Sequence, residues 1–420
     1  MDFAPDPCKI AVMKTDFDVV IAGGGLNGPT LALALAGAGL RVAVVDPRPA
    51  DARAGQEFDG RAYALAVASQ RLLQALGLWG DLAASAQPIV QVKASQGDPG
   101  EGAAPFFLHF DSAEIEEGPV GYMMEDRFLY RALLAAMQGR VTHLSGLSVA
   151  GQRAGDAAVA VDLSDGTCLS ARVLIGADGR GSGVATRAGI QRQGWDYGQT
   201  ALVAAIDHEL PHQGIAHQYF MATGPLAILP LPGGHRSSVV WSETRDNATA
   251  IAALPDADFL KVLQPRFGDY LGAISLAGPR FSYPLSLSLA RDYVTPRVAL
   301  VGDAAHGVHP IAGQGLNLGL RDVAALAETI VDAARRGEDI GAINVLERYQ
   351  GWRRFDATSL ALGMDAVNRM FGQTNPLIRA ARGLGMQTVT AIPSLRRGFM
   401  RQAAGLSVDP MPRLLQGRAL

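Results

Sequence analysis

An α/β fold is predicted, with a parallel-sheet nucleotide domain, a second strand-rich α+β domain and a C-terminal helical segment. Three observations carry it. Residues 17–46 read strand, glycine turn, helix, strand; residues 199–283 break into short apolar runs interrupted by proline and glycine; and a buried strand at Val298–Val301, followed by a helix from Gln314, returns the chain to the first pattern.

The Phe17–Ala22 run is rich in valine and isoleucine, Pro29–Ala38 has a helix-forming composition, and Arg41–Val45 is apolar again up to Asp46. This order makes a βαβ unit, which requires parallel pairing and a right-handed crossover. Pro47 and Pro49 then stop the second strand, because proline donates no ladder hydrogen bond. Ala62–Leu78 and Arg127–Met137 place apolar residues at helical spacing. Between Val159 and Ile175 short strands flank Ser164-Asp165-Gly166, a hairpin signal. Leu226–Leu231 and Ser238–Trp241 typify the strand-rich stretch, and the helix from Gln314 continues to Arg335. The nucleotide domain is therefore discontinuous: residues 16–84, 120–182 and 286–360 belong to it, residues 85–119 and 183–285 to the second domain, and 361–420 to the C-terminal segment.

Of the 420 residues 48% are hydrophobic, enough for two or three packed units. The balance of 37 basic against 40 acidic side chains gives no field to hold a nucleic-acid backbone, so nucleic acid is excluded as a partner. Cys8 and Cys168 are too few for a disulfide framework, which fits a reducing compartment and an interior held by packing alone. Residues 1–15 lack the apolar stretch of a secretory signal and read as a loose tail, so a cytoplasmic location is expected. The apolar stretch Leu31–Val45 is interrupted by Gly37, Gly39 and Arg41 and falls short of the roughly 20 residues of a bilayer span.

Chemistry enters at the turns. Gly23-Gly24-Gly25-Leu26-Asn27-Gly28 is a GxGxxG between a strand and a helix, the Rossmann-like arrangement. Gly23 makes the tight turn, Gly25 lets the backbone approach a pyrophosphate, Gly28 permits close helix packing, and the helix start faces the phosphate charge. Asp46, 18 residues past Gly28, stands where a carboxylate accepts from ribose hydroxyls, with Arg48 beside it as a phosphate contact or a solvated charge. Two further turns follow buried strands: Gly176-Ala177-Asp178-Gly179-Arg180-Gly181-Ser182, and Val301-Gly302-Asp303-Ala304-Ala305-His306 with Pro310 and Gly313-Gln314-Gly315-Leu316-Asn317 beyond. Each sets an aspartate at a strand's C-terminal end, the ligand side of an open α/β sheet. Residues Gly313–Asn317 would present free backbone N–H groups at a helix start, suited to negative charge on a ligand. His208, His212 and His217 lack metal-ligand spacing, so no metal is expected.

These turns resemble the DG and GD motifs of the class A flavoprotein monooxygenases, the family of para-hydroxybenzoate hydroxylase. The resemblance implies FAD as cofactor, Asp303 on its ribityl chain, Gly302 and Pro310 beside it, Gly313–Asn317 against the isoalloxazine, and Asp178 in FAD and nicotinamide binding. Phe58-Asp59-Gly60-Arg61 also matches, making Arg61 the arginine near the flavin and Asp126 a flavin-edge contact. Where the family's DG motif continues as SxxR, Ser182 is followed by Gly183, Val184 and Ala185, with Arg187 two positions late.

Trp195-Asp196-Tyr197-Gly198-Gln199, the stretch from His306 to Gly315 and Tyr349–Arg354 are similar to the ubiquinone-biosynthesis hydroxylase branch. That branch implies a polyprenylated phenol as substrate, O2 and transient NAD(P)H as co-substrates, and contact with a membrane or a biosynthetic complex. No side chain is assigned as catalyst, because the flavin carries the reactive oxygen; His306 and Pro310 are candidate pocket residues, and Gly224–Leu231 with Trp241 candidate pocket walls. Residues 361–420 hold eight arginines and no lysine, and Arg379, Arg382, Arg396, Arg397 and Arg401 alternate with apolar residues, as in a helix lying on anionic lipid at the inner membrane face or capping the FAD domain. Other readings stay open: a hydroxylase of a soluble aromatic compound, a flavin reductase or dehydrogenase without oxygen insertion, and a non-enzymatic FAD-binding component.

Overall fold

The computed structural model describes residues 15–50, 52, 55, 58–97, 103–373, 385 and 388–420. Residues 1–14 of the tail read over residues 1–15, with Cys8, and Arg379 and Arg382 lie outside them.

Three sheets organise the described residues. The first is centred on four parallel neighbours, Val298–Leu300, Cys168–Gly176, Phe17–Ala22 and Val42–Asp46, with Thr142–Ser145 outermost and parallel to the last. Their registers bring Ala22 level with Gly176 and Val45, so the strands end together. Val19, Val20, Ile21, Val44, Leu174 and Ile175 are wholly buried, as expected for strands covered on both faces. The Asn27–Gly37 helix makes the crossover between the Phe17 and Val42 strands. Cys168–Gly176 has two roles: its first half closes a hairpin with Val159–Leu163, and its second half runs parallel in the sheet's centre.

The second sheet has nine strands, drawn from residues 91–111, 192–244, 274–290 and 306–307. Arg192–His208 is its longest member, bonded to Arg236–Thr244 on one side and Phe281–Ala290 on the other. His306–Gly307 joins it as an edge strand against Ser288–Leu289, so a turn of the nucleotide domain is stitched into this sheet. A three-stranded sheet, Ala62–Ala66, Gly121–Glu125 and Gln87–Ile89, packs between the two. The helix expected from Ala62 starts instead at Val67. Tyr63 and Leu65 suit either period over five residues, and antiparallel pairing with Gly121–Glu125 settles the strand.

Two long helices close the structure. Gln314–Arg335 has the predicted bounds, and Ile343–Phe371 runs unbroken across position 361, where the sequence suggested a separate segment. The latter reaches from the first sheet, where the Tyr349 hydroxyl donates to Leu300 O at 2.7 Å, to the second, where Phe371 stacks on Phe220 at 3.9 Å. No helix among the described residues is long and apolar enough to cross a membrane.

Candidate functional site

Because four parallel strands finish side by side, the turns that follow them meet. Gly23 N–H donates to Val45 O, Ala177 N–H to Ala22 O and Val301 N–H to Gly176 O, each at 2.8 to 2.9 Å, which fixes the glycine loop, the Asp178 turn and the Asp303 turn as neighbours.

The glycine loop needs its glycines. Gly23 has φ +113°, and a Cβ there would lie 2.3 Å from Ala177 O; a Cβ on Gly28 would lie 2.0 Å from Gly23 O. Gly25 sits half-buried in the same turn. The Asn27–Gly37 helix starts without a side-chain cap, so its first N–H groups remain available to an anion. Leu26 packs its side chain on the core and offers only backbone to a ligand. Asp46, 2% exposed, accepts from Gly24 N–H at 2.6 Å and from Arg48 N–H at 2.7 Å; the Arg48 side chain is exposed. The Tyr130 hydroxyl, which sequence reasoning missed, donates to Gly24 O at 2.8 Å and braces the loop from behind.

Asp303 stands on a 3-10 turn, Gly302–Ala304, with its carboxylate 39% exposed. Arg180 Nε donates to it at 3.1 Å and Arg180 Nη2 to Val308 O at 2.9 Å, so the arginine inside the Asp178 motif clasps the Asp303 loop. Arg192 Nη2 donates to Asp303 O at 2.9 Å. Neither arginine had been assigned a role from sequence. Asp178 itself turns inward: it accepts from the Ser182 hydroxyl at 2.5 Å and from Val184 N–H at 3.1 Å, holding the start of the short Gly183–Arg187 helix. Arg187 lies away from the other motifs and donates to Gln152 at 3.4 Å.

Gly313, φ +62°, brings the loop so close to the Ala62 strand that a Cβ would meet the Ala64 Cβ at 2.9 Å. It precedes the Gln314 helix, which also starts uncapped by a side chain. Gln314 Nε2 reaches Ala403 O at 3.5 Å, Gly315 and Pro310 lie half-buried at the turn, and Leu316 packs on the core. The Asn317 amide is spent on the protein, accepting from Ala66 N–H and the Ser69 hydroxyl and donating to Ala64 O, each at 2.8 Å. Leu316 and Asn317 thus shape the loop from below. Arg61 and Asp126 come together at 3.5 Å, with Asp59 as a further partner of Arg61 at 2.5 Å.

His306, read as a pocket residue, lies elsewhere. It is fully buried behind the Asp303 turn, with Nε2 2.5 Å from Asp322 Oδ2. Trp241, read as a pocket wall, points away as well: it is fully buried with Leu226 and Ile228 between the nine-stranded sheet and the helices at 245–263, stacked under Arg266. Strand alternation sends Leu229 and Leu231 to the opposite face, against Ala62 and Ala64 beside Gly313. That apolar face adjoins the Gly313 loop. His208 and His212 use both ring nitrogens in local hydrogen bonds.

Two uncapped helix starts, glycine turns that exclude a Cβ, a carboxylate at the second strand's end and an outward carboxylate at the fourth suit FAD: diphosphate, ribose, ribityl and ring in order. Asn27 adds a detail no motif encodes. Its side chain fills the space above Gly302 and Gly319, where a Cβ on either would lie 2.3 Å from Nδ2. Gly319→Ala is expected to push the amide toward the diphosphate and weaken FAD binding several-fold without lowering helix stability, since alanine favours helix by about 1 kcal/mol. Titration of apoprotein with FAD, beside a urea melt, checks it.

Two histidines make acid destabilising. Burial foremost, then Lys93, pulls His217 from 6.5 to about 4; burial, then Arg180, does the same to His309, against Asp365. Below pH 6.5 the unfolded chain takes up protons that the folded chain refuses, so stability falls between 6.5 and about 4. Urea midpoints across that window should decline, and His217→Gln should flatten the decline; a level profile in the parent chain would contradict the burial argument.

Residues 16–357 match the family described as FAD binding domain. The chain is 45% identical over 405 residues to the ubiquinone hydroxylase UbiL of Rhodospirillum rubrum, covering 95% of this chain and 92% of that one. It is 34% identical over 395 residues to the 3-demethoxyubiquinol 3-hydroxylase of Escherichia coli, covering 93% and 98%. Among solved structures, p-nitrophenol 4-monooxygenase PnpA of Pseudomonas putida shares the fold, with TM-score 0.79 at 21% identity over 94% of this chain and 99% of that one.

Proposed function

The chain belongs to the FAD-binding monooxygenase family, and from that premise we propose that it hydroxylates the ring of a polyprenylated phenol in ubiquinone biosynthesis, using O2 and transiently bound NAD(P)H. The observation that carries this reading is the 45% identity to a ubiquinone hydroxylase along 95% of the chain, together with four motif turns converging at one end of the parallel sheet. When bound, FAD supplies the redox chemistry: it takes a hydride equivalent and activates oxygen for transfer to an electron-rich ring. The chain's own residues bind, orient and keep dry. Asp46 and the glycine loop hold the adenosine diphosphate end, Asp303 the ribityl chain, and the Gly313–Asn317 loop the ring. Leu229 and Leu231 supply an apolar face that excludes water beside that loop, which favours oxygen transfer over release of hydrogen peroxide.

Labelled O2 tests the reading, with NAD(P)H and a panel of prenylated and unprenylated phenols. Label should enter a prenylated phenol, coupled to substrate-stimulated NAD(P)H oxidation. Incorporation only into unprenylated rings would replace the substrate class, and oxidation without incorporation would make the protein a reductase.

Membrane contact belongs to the same proposal. On the Pro393–Ala403 helix, Arg396 and Arg401 pair with Glu114 and Glu117, while Ile392, Leu395 and Phe399 stay 40%, 44% and 53% exposed beside exposed Arg397. Flotation with anionic liposomes should retain the protein, and Leu395→Ser with Phe399→Ser should release it. No retention of the parent chain would remove the membrane from the reading.

A further inference from the structure

Behind the Asp303 turn lies a buried charge network that the oxygen-transfer reading does not use. Asp322, fully buried on the Gln314 helix, accepts Gly302 N–H at 3.0 Å and lies 2.5 Å from His306 Nε2, both through Oδ2. Residues 302 and 306 bracket the turn that carries Asp303, so one carboxylate oxygen grips both ends of it. The other oxygen, Oδ1, accepts from Arg353 Nε at 2.8 Å. Arg353, also fully buried, donates in turn to Asp356 at 2.6 Å, and Arg321 reaches the same carboxylate at 3.3 Å. Burial alone would raise the Asp322 carboxyl, but His306 and Arg353 hold it below the usual carboxylate range.

Stability alone does not call for this arrangement, because desolvating several charges costs about as much as their attraction returns, and well-packed apolar side chains serve an interior as well. What charges add is a defined geometry. Here that geometry is the position of one turn relative to two helices.

We propose that Asp322 is the positioning residue for the FAD site: held by Arg353, it clamps Gly302 and His306 and thereby aims the Asp303 carboxylate outward. The proposal rests on the reading that Asp303 binds FAD. The inner side of the turn belongs to Asp322, Arg192 holds the backbone carbonyl of Asp303, and the Asp303 carboxylate is left to the ligand side with Arg180.

The test compares Asp322→Asn, His306→Gln and Asp303→Ala as purified full-length apoproteins, each shown folded by far-ultraviolet circular dichroism in the cold and titrated with FAD. Asp322→Asn keeps one acceptor but loses the charge; its FAD Kd should rise at least about tenfold, equivalent to about 1.4 kcal/mol. The visible circular dichroism of its bound flavin should change too, a signature that reports ring orientation and that lost stability alone would not move. His306→Gln, which leaves Asp322 with Gly302 and Arg353, should shift both readouts in the same direction by a smaller factor, and it decides the matter if Asp322→Asn does not fold. Parent-like affinity and dichroism in every folded variant at 306 and 322, while Asp303→Ala loses FAD, would overturn the positioning role alone. Parent-like FAD binding by Asp303→Ala would overturn the reading beneath it.

Discussion

Asp303→Ala should purify colourless. The turn around it has little else to offer a ligand: Gly302 N–H is given to Asp322, and Asp303 O and Ala304 O are given to Arg192. The carboxylate faces outward, steadied by Arg180. A hydrogen bond to a charged group is worth about 1.5–3 kcal/mol, so its removal should weaken FAD binding by roughly ten- to 150-fold. Arg180 would also be left without its carboxylate, adding repulsion toward any cation nearby and loosening the link to the Asp178 turn. Activity should fall in proportion to flavin content and return in part with excess FAD, whereas Asp303→Asn, which keeps an acceptor, should sit between the two. Flavin absorbance of the purified variant and a titration of its apoprotein measure the effect. A fully yellow Asp303→Ala protein with parent turnover would remove this residue from the cofactor site.

Arg353→Met should be the most damaging single change to the fold. Methionine matches much of the volume but leaves the fully buried Asp322 without its arginine, with Gly302 N–H and His306 Nε2 as its remaining contacts. Breaking a buried pair from one side costs about 3–5 kcal/mol, a large share of the 5–15 kcal/mol that holds a typical domain folded. Asp356 would keep Arg321, so the loss concentrates on Asp322. Arg353→Lys retains the charge without the planar fork and should recover only part of the loss. Urea unfolding of the three proteins gives the numbers. Unchanged midpoints for Arg353→Met would mean that Asp322 does not depend on Arg353 in the folded chain.

What was legible in the sequence was local grammar. The glycine loop, Asp46 and the two later aspartates each follow a strand, and strand, turn and helix lie within a few residues of one another; once the strands pair in parallel their ends must coincide. The Gln314 helix was legible for the same reason. Partnerships across long separations were not. Tyr130 braces Gly24 from 106 residues away and Arg353 holds Asp322 from 31. One signal was available: Arg321 and Asp322 interrupt an apolar face that includes Leu318, Val323 and Leu326, and charges in a buried stripe need partners. Trp241 was misplaced because alternation tells which residues share a face but not which face meets the cofactor. His306 was misplaced because proximity to Asp303 in sequence says nothing about the side of the turn it takes.

The Ile343–Phe371 helix carries Arg353 and Asp356 under the Asp303 turn and, further along, Asp365 on Trp195 and Asn368 on Gln199 of the other sheet. At 3.6 residues per turn, one residue inserted between Asp356 and Asp365 would rotate one set against the other by about 100°. Its length is therefore locked: a single inserted residue should break either the grip of Arg353 on Asp322 or the contacts of Asp365 and Asn368 with the other sheet.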